Sequence, residues 1–532
     1  MRGFAIRRSV WGSGISMAVI TFGVVFGIGR AAMAQNNYYV NQSLPGTEGP
    51  GTINGISYTA AYNSINTALA AVPAGGSSTN PNVIYFAPGV YNTAQTTGVS
   101  LSDSRSNLSF VGMTGNPNDV VITSTLDSEW NGGAIGTSGS ATIQLKGNNI
   151  SVENLTFANS TDTPYIATEA GGGVHLAESP TGTFPTVASG GTAQTANEPA
   201  VALLLQGDEQ VFNNVRVVGY QDTLYDKGGR AYFNNSYVSG DVDFIFANGT
   251  AVFNNSQLNI DSDHSGGDIF APSTSKNTSN GFAVLNSTIT GNSTAGNSVT
   301  DPNDGGNPNP TSAGSMYLGR PWNTQAGGDA AATLVNTKIA SVGGTSIINS
   351  LGWTSWNTTE TAGTNTNNSG GNVEEDARFA QYNVTDLTTG APLGSTWQYS
   401  HNLVATQAAA YTVSNIFTTP DTWYGNGYPS TDSDTIGNTG NPAAGTGSAN
   451  PTDPNYSWPA YWGDRNINDQ GSAEAAAGTN DPGSYANPNW TGPANWNAAA
   501  QLNALPQVPE PATLGLLAGA MLVPLARRPR RR

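Results

Sequence analysis

Two aspartates, Asp222 and Asp243, stand 21 positions apart in the middle of the chain, each inside an apolar phrase. The first lies in Gly-Tyr-Gln-Asp-Thr-Leu-Tyr (219–225) and the second in Gly-Asp-Val-Asp-Phe-Ile-Phe (240–246). A lone aspartate usually marks a turn, but a pair inside runs this apolar favours a functional role. Two carboxyl groups held close together do not both ionise easily, so one becomes an acid and the other stays an anion. Such a pair can supply the nucleophile and the general acid of a hydrolysis.

A short phrase, Phe-Asn-Asn, recurs around this pair at 212–214, 233–235 and 253–255. A self-similar period near 20 residues predicts a parallel β-solenoid, whose coils stack about 4.8 Å apart. The phenylalanines would fill the interior in columns, and the asparagines would occupy bends with left-handed backbone. Asp222 and Asp243 would then lie on neighbouring coils of one face, roughly 5 Å apart.

Three phrases together resemble the signature motifs of the pectin methylesterase family: 219–225, 240–246 and Tyr-Leu-Gly-Arg-Pro-Trp at 317–322. Softer matches extend the resemblance from about residue 36 to about 430. It implies an all-β fold, a right-handed single-stranded parallel β-helix with short helical caps, in agreement with the period. It also implies hydrolysis of galacturonate methyl esters in pectin (homogalacturonan) to carboxylates and methanol. No cofactor or metal is implied.

The resemblance also assigns roles to individual residues. Arg320 would pair with Asp243 and keep it an anion that attacks the ester carbonyl. Asp222 would stay protonated, donate to the departing methanol and then activate water, while Gln221 would donate to the oxyanion. Three aromatic side chains would offer flat faces to the sugar rings, although plain packing explains them nearly as well: Tyr225, Phe246 and Trp322.

One position departs from the family pattern. The family supplies a second oxyanion glutamine in a Gln-Ala-Val-Ala-Leu phrase, which here reads Pro-Ala-Val-Ala-Leu from Pro199. Proline has neither a side-chain donor nor a backbone N–H, and one such donor can be worth on the order of 10² to 10³ in rate. Either Gln194, Gln206 or a backbone amide of a long loop replaces it, or the activity is weak or redirected.

Composition excludes several classes of function. The chain has no cysteine, and its three histidines have no metal-ligand spacing. Without its two terminal segments it keeps ten basic and 35 acidic residues, a net charge near −25 that argues against nucleic acid or anionic membrane as a partner. The acidic residues Asp261, Asp263 and Asp268 vaguely resemble a calcium loop, but Pro272 stands where the closing glutamate belongs.

The chain divides into four predicted parts. Residues 1–34 have the basic head, apolar stretch and small-residue cleavage site of a secretory signal peptide. Residues 35–430 form the catalytic β-helix, and 431–505 are a largely disordered, Gly/Asn/Pro/Ser-rich tail whose tryptophans could stack on sugars. Residues 506–532 resemble a bacterial PEP-CTERM sorting signal, with a Pro-Glu-Pro tripeptide, a short apolar span and an arginine cluster. We therefore expect a secreted or cell-surface monomer, whose C-terminal segment inserts transiently into the membrane before it is processed.

Within the β-helix, helical spacing predicts a capping helix over 62–72, and residues 405–417 are predicted to form a closing helix or cap. Long loops are expected at 159–198 and 291–315, the second delivering 317–322 to the site. Strands are predicted at 83–86, 108–111, 120–123, 142–145, 150–157 and 201–205.

Three other functions compete with this interpretation. A serine esterase is disfavoured because no Gly-x-Ser-x-Gly elbow occurs. A glycosidase would also suit carboxyls about 5 Å apart. The third rival is a surface polysaccharide-binding protein that kept the fold but lost efficient catalysis.

Overall fold

The computed structural model describes residues 36–74, 76–93, 100–128, 135–159, 161, 199–260, 267–274, 280–292, 294, 311–322, 330–354, 377–394, 397, 400–417 and 496–506. The predicted signal peptide, nearly all of the 159–198 loop, most of the 291–315 loop and the sorting segment from 507 onward lie outside these residues.

The described residues form three parallel sheets that the chain visits in turn. Sheet 1 has twelve strands in this part of the chain: β1 (Asn37–Val40), β4 (Ala60–Tyr62), β5 (Asn82–Phe86), β8 (Leu108–Gly112), β11 (Ile150–Glu153), β14 (Gln210–Asn213), β17 (Arg230–Asn234), β20 (Thr250–Asn254), β23 (Phe282–Leu285), β26 (Ala331–Val335), β30 (Arg378–Tyr382) and β32 (His401–Asn402). Sheet 2 has nine: β6 (Gly89–Asn92), β9 (Val120–Ser124), β12 (Thr156–Asn159), β15 (Arg216–Val218), β18 (Tyr237–Gly240), β21 (Gln257–Ile260), β24 (Thr288–Gly291), β27 (Lys338–Ile339) and β31 (Thr385–Asp386). Sheet 3 has seven: β7 (Leu101–Asp103), β10 (Ile143–Leu145), β13 (Leu203–Leu205), β16 (Leu224–Asp226), β19 (Ile245–Ala247), β22 (Asp268–Pro272) and β25 (Tyr317–Gly319).

Two antiparallel hairpins project from this solenoid. They are β2 (Gly51–Ile53) with β3 (Ile56–Tyr58), and β28 (Ser341–Val342) with β29 (Thr345–Ser346).

The predicted phenylalanine column is confirmed. Phe212, Phe233 and Phe253 pair in register across β14, β17 and β20. Their rings stack at centroid distances of 4.5 and 5.0 Å, and all three side chains are fully buried. Burial of one such ring contributes roughly 2 to 3 kcal/mol, so the repeated phenylalanine stabilises the stacking of one coil on the next.

The asparagines occupy the bends between sheets 1 and 2, as predicted. Asn214, Asn235 and Asn255 have φ values of 53°, 49° and 51°, in the left-handed region that asparagine tolerates. The side chain of Asn214 also donates to Asn154 Oδ1 on the preceding coil at 2.8 Å. A similar bend at Asn154 divides the run predicted as one strand over 150–157 into β11 and β12.

Short helices cover parts of the solenoid. Helix α1 (Ile65–Ala71) is capped by Ser64, whose hydroxyl accepts from the Thr67 N–H, and it buries Ile65, Ala68 and Leu69. It confirms the predicted capping helix, although the helix begins three residues later than 62. The others are α2 (Gly136–Gly139), a 3₁₀ turn (Pro117–Asp119), α3 (Ala405–Ala408) and α4 (Val413–Ile416). Among the described residues, no helix has the length and apolar character needed to cross a bilayer.

The end of the predicted tail departs from expectation. Residues 496–506 include a fifth helix, α5 (Ala498–Asn503), which packs with α4 against the outer face of sheet 1. Trp496 is buried there, with its ring 4.5 Å from that of Phe417. The prediction of a structureless tail is therefore wrong for this last stretch, and Trp496 is not available to stack on sugar. The other tail tryptophans lie outside the described residues.

Candidate active site

The two aspartates of the sequence pair occupy equivalent places on successive coils. Each lies in the turn between sheets 2 and 3, just before β16 or β19, and these strands pair Leu224 with Ile245. The Asp222 N–H donates to the carbonyl of Val242 at 3.1 Å, which ties the two turns together. One coil separates the backbones, about 4.8 Å. The predicted juxtaposition of Asp222 and Asp243 is present in the structure.

Both aspartates have a backbone conformation that side chains rarely adopt. The φ angle is 64° at Asp222 and 49° at Asp243. Residues in this region cost on the order of 1 to 3 kcal/mol and concentrate at functional sites. Here the left-handed turns are stabilised by the hydrogen bonds of the flanking strands, which continue on both sides of each turn.

Arg320 reaches the pair from two coils further along the chain. It follows β25, which pairs with β22, and its N–H donates to the Phe270 carbonyl at 2.9 Å. The guanidinium donates to both oxygens of Asp243, from Nε to Oδ1 at 2.9 Å and from Nη2 to Oδ2 at 2.6 Å. Two parallel bonds of this kind fix the carboxylate plane as well as its charge.

The electrostatics separate the two carboxyls. Burial, and then the negative charge of Asp243, raise the pKa of Asp222 well above its usual range, and Arg320 offsets this only in part. Burial also raises the pKa of Asp243, but the hydrogen bonds and charge of Arg320 oppose it directly. Because Asp243 is bonded to the arginine at both oxygens, this arrangement favours the anion at Asp243 and the proton at Asp222.

The three predicted aromatic residues lie side by side on the outer face of sheet 3. The ring of Phe246 stacks on Tyr225 at 4.2 Å and lies 5.6 Å from Trp322. Tyr225 and Trp322 are half-buried, but Phe246 is only 3% exposed. Phe246 therefore supports the other two rings and presents almost no surface of its own.

Gln221 is half-buried and precedes Asp222 in the chain. Its backbone carbonyl accepts from the N–H of Ala200, on the preceding coil, at 3.1 Å. Pro199 thus lies one coil away from the turn that carries Gln221. Gln206 cannot replace the missing donor, since it follows β13 at the end opposite to Ala200. Gln194 and the long loop lie outside the described residues.

Sequence reasoning missed a third carboxyl in the site. Asp268, the first residue of β22, is 4% exposed, and its Oδ2 lies 3.5 Å from Arg320 Nε. A signal was present, because Asp-Ile-Phe-Ala from 268 echoes Asp-Phe-Ile-Phe-Ala from 243. Asp241 is also buried nearby, with its Oδ1 accepting from the Val242 N–H at 2.6 Å. Among the described residues, no cluster of histidine and acidic side chains has a metal-binding arrangement.

Together these features define a parallel β-helix with an arginine-bound aspartate, a second aspartate whose pKa is raised, and an aromatic surface on one face. Residues 186–389 match the Pectinesterase family. Residues 507–532 match the PEP-CTERM protein-sorting motif, which marks an exported or cell-surface protein.

Curated relatives agree with this match. A pectinesterase of Ralstonia solanacearum is 33% identical over 202 residues, 36% of this chain and 40% of that protein. Pectinesterase A of Dickeya dadantii is 30% identical over 272 residues, 49% of this chain and 62% of that protein. The matched region thus spans about two fifths to three fifths of these relatives.

Solved structures give the same fold. The pectin methylesterase of Erwinia chrysanthemi has a TM-score of 0.51 and 28% identity, covering 72% of this chain and 96% of that one. The Yersinia enterocolitica enzyme has a TM-score of 0.50 and 26% identity, covering 67% and 98%. The predicted right-handed parallel β-helix is confirmed.

Proposed function

We propose that this protein is an exported pectinesterase, which hydrolyses the methyl esters of galacturonate residues in pectin to carboxylates and methanol. The observation that carries the proposal is the two-point bond between Arg320 and Asp243, with the protonated Asp222 on the adjacent coil. An anion and an acid are thereby held side by side, as ester hydrolysis by a carboxylate nucleophile requires.

In the first half of the reaction, a carboxylate oxygen of Asp243 attacks the ester carbonyl carbon. The negative charge that develops on the carbonyl oxygen is stabilised by the side-chain N–H of Gln221. When the tetrahedral intermediate collapses, the bond to the methoxy oxygen breaks, and Asp222 donates its proton to that oxygen. Methanol leaves, and the sugar carboxyl remains joined to Asp243 as an anhydride.

In the second half, Asp222 is an anion and acts as a base. It takes a proton from a water molecule, whose oxygen attacks the same carbonyl carbon. The anhydride breaks, Asp243 regains its carboxylate beside Arg320, and the galacturonate product leaves. Tyr225 and Trp322 would hold the neighbouring sugar rings, with Phe246 behind them.

Export and processing form part of the same proposal. Residues 1–34 act as a cleaved signal peptide, and residues 506–532 direct the chain to the envelope and are then removed. The predicted β-helix domain ends near 430, but the ordered residues 496–506 extend the folded body to the border of the sorting segment.

A second candidate is a pectin-binding surface protein with weak catalysis. Pro199 favours it, because the position offers no donor to the oxyanion and Gln206 lies at the wrong end of β13. A β-helix glycosidase remains the third alternative.

One assay separates the three. The exported protein is incubated with highly methylated pectin, and methanol, new reducing ends and polymer binding are measured for the wild type and for Asp243→Asn. We expect methanol without reducing ends from the wild type and a loss of at least about 10³-fold in the variant. Reducing ends would instead identify a glycosidase, and binding without methanol, unchanged in the variant, would identify a binding protein.

A further inference from the structure

Asp268 belongs to the same column of carboxyls as Asp222 and Asp243. Strands β19 and β22 pair Ile245 with Phe270, which places Asp268 one coil beyond Asp243. Its Oδ2 is 3.5 Å from Arg320 Nε, the same nitrogen that donates to Asp243 Oδ1 at 2.9 Å. Its Oδ1 is buried and has no hydrogen-bond partner among the described residues. Asp268 is therefore aimed at the arginine but bonded less closely than Asp243.

The charges of the column do not balance if every carboxyl is ionised. Asp222, Asp243 and Asp268 would carry three negative charges against the single positive charge of Arg320. Burial, and then the charge of Asp243, raise the pKa of Asp268 to about 8, with Arg320 opposing them. At neutral pH Asp268 is mostly protonated, and the guanidinium is available to Asp243 alone.

In the part of the chain that the structure describes, the charged and titratable groups around Asp268 come from adjacent strands and turns. Asp243 lies before β19, and Arg320 follows β25. Tyr317 on β25 is the register partner of Asp268, and the Asp241 carbonyl accepts the Asp268 N–H at 2.9 Å. Among the described residues, Arg320 is the one cation that faces Asp268, so an ionised Asp268 would compete with Asp243 for it.

We propose that Asp268 is a positioning residue of the esterase, whose protonation state decides whether Arg320 is devoted to Asp243 or shared between two carboxylates. This inference rests on the function proposed above. In the neutral state, Arg320 holds the nucleophile with both nitrogens. In the ionised state, the second carboxylate competes for Nε, the orientation of Asp243 loosens, and the rate of attack falls.

The sign of the pH effect follows directly. Raising the pH through the alkaline range removes the proton from Asp268, so kcat should decline there. Asp268→Asn keeps the shape of the side chain and cannot ionise, so the midpoint of the alkaline decline should move upward by about one pH unit or more. Asp268→Glu retains a titratable group and should keep an alkaline decline.

The test is the pH profile of kcat for methanol release from methylated pectin, measured with the exported protein. The matched control is Asp226→Asn, which removes another fully buried carboxyl whose pKa is raised to about 8 but which lies at the far end of β16 from Asp222. Its alkaline midpoint should equal that of the wild type. A purely structural role for Asp268 would change the amount or stability of folded protein and leave the midpoint in place.

The outcomes separate this inference from the function itself. If the wild type releases no methanol, or if Asp243→Asn is fully active, the proposed function is wrong. If the wild type is active and Asp243→Asn is not, but Asp268→Asn has the wild-type midpoint, only the role of Asp268 is overturned.

Discussion

Two arginines of this molecule bind an aspartate with the same geometry but have different roles. Arg320 binds Asp243 at 2.9 and 2.6 Å, and Arg230 binds Asp208 at 2.8 and 2.6 Å, in both cases from Nε and Nη2. The guanidinium geometry alone does not tell which pair is the reactive one.

The surroundings differ. Arg230 and Asp208 have fully buried side chains, and Arg230 also donates from Nη1 to the Phe417 carbonyl at 3.0 Å and lies 5.5 Å from the ring of Trp496. The C-terminal segment thus closes this cluster. The Arg320 side chain is 25% exposed and lies beside the half-buried Trp322. One cluster is sealed by the chain itself and the other is open to a ligand.

The number of acids also differs. Arg230 has a second acid, Glu209, within 3.2 Å of Nη2, so all of its carboxylates contact the guanidinium. Arg320 has Asp243 in full contact, Asp268 at 3.5 Å and Asp222 on the coil beyond. A carboxyl whose pKa is raised by burial and by a neighbouring carboxylate, beside a partly exposed arginine, marks the Arg320 cluster as the candidate functional site.

The largest effect is expected from a substitution in the open cluster, the one around Arg320. In Arg320→Met, Asp243 loses its counter-charge inside a buried site and takes up a proton, so it no longer attacks the ester. We expect methanol release to fall by at least about 10³-fold. Arg105→Met, which removes a half-buried arginine paired with Asp103 in an early coil, is the control and should keep its activity. Equal losses in both variants would contradict a special role for Arg320.

A substitution in the sealed cluster, the one around Arg230, should lower the stability of the fold and leave the activity unchanged. Asp208→Asn leaves Arg230 buried without its main partner, which typically costs about 3 to 5 kcal/mol. We expect a lower urea midpoint and earlier proteolytic release of the segment at 496–506. Methanol release per folded molecule should be unchanged at low temperature. A normal midpoint with reduced turnover would reverse the roles assigned to the two arginines.

An added donor should help only the open cluster. Pro199→Gln restores an amide side chain one coil from Gln221, and a missing oxyanion donor is worth on the order of 10²-fold. We expect turnover to rise toward that factor, whereas Gln206→Ala, at the other end of β13, should change nothing. An unchanged rate would mean that another group already fills this position.

Asp226 sharpens the comparison because it is a buried carboxyl that, among the described residues, has no bond to an arginine. Burial raises the pKa of Asp226 to about 8, an effect that the Gly228 amide offsets only in part. The unfolded value is near 3.9, so the folded state binds the proton more tightly. The associated stability is present at low pH and is lost as the pH rises from about 4 to 8, by up to about 1.4 kcal/mol per pH unit.

Asp226→Asn should therefore flatten the fall in unfolding free energy between pH 5 and pH 8, measured by urea denaturation. Parallel curves for the variant and the wild type would show that Asp226 does not hold its proton in the folded state.

Much of the site could be predicted from the chain. The period placed Asp222 beside Asp243, and the motif around Arg320 assigned its partner. Asp268 was missed because it follows Asp243 by 25 positions and not by about 20, so its alignment with Asp243 depends on strand register. The burial of Phe246 between two other rings could not be predicted from the sequence either, because the exposure of a side chain depends on neighbours from other coils.

The C-terminal helix was missed for a different reason. A helix as short as α5 is not stable alone in water, and the composition around it is typical of disorder. It forms because Trp496 packs on Phe417 and Gln501 donates to the Ile150 and Glu209 carbonyls, the latter 292 positions earlier.

The sequence by itself determined the coil, its phenylalanine and asparagine columns and the two aspartates on one face, because these follow from a local pattern repeated at a constant interval. Only the tertiary structure decided that Arg320 is partly exposed, that a third acid, Asp268, lies beside it, and that the C-terminal segment covers Arg230. Those features depend on contacts between residues far apart in the chain, and no local pattern records them.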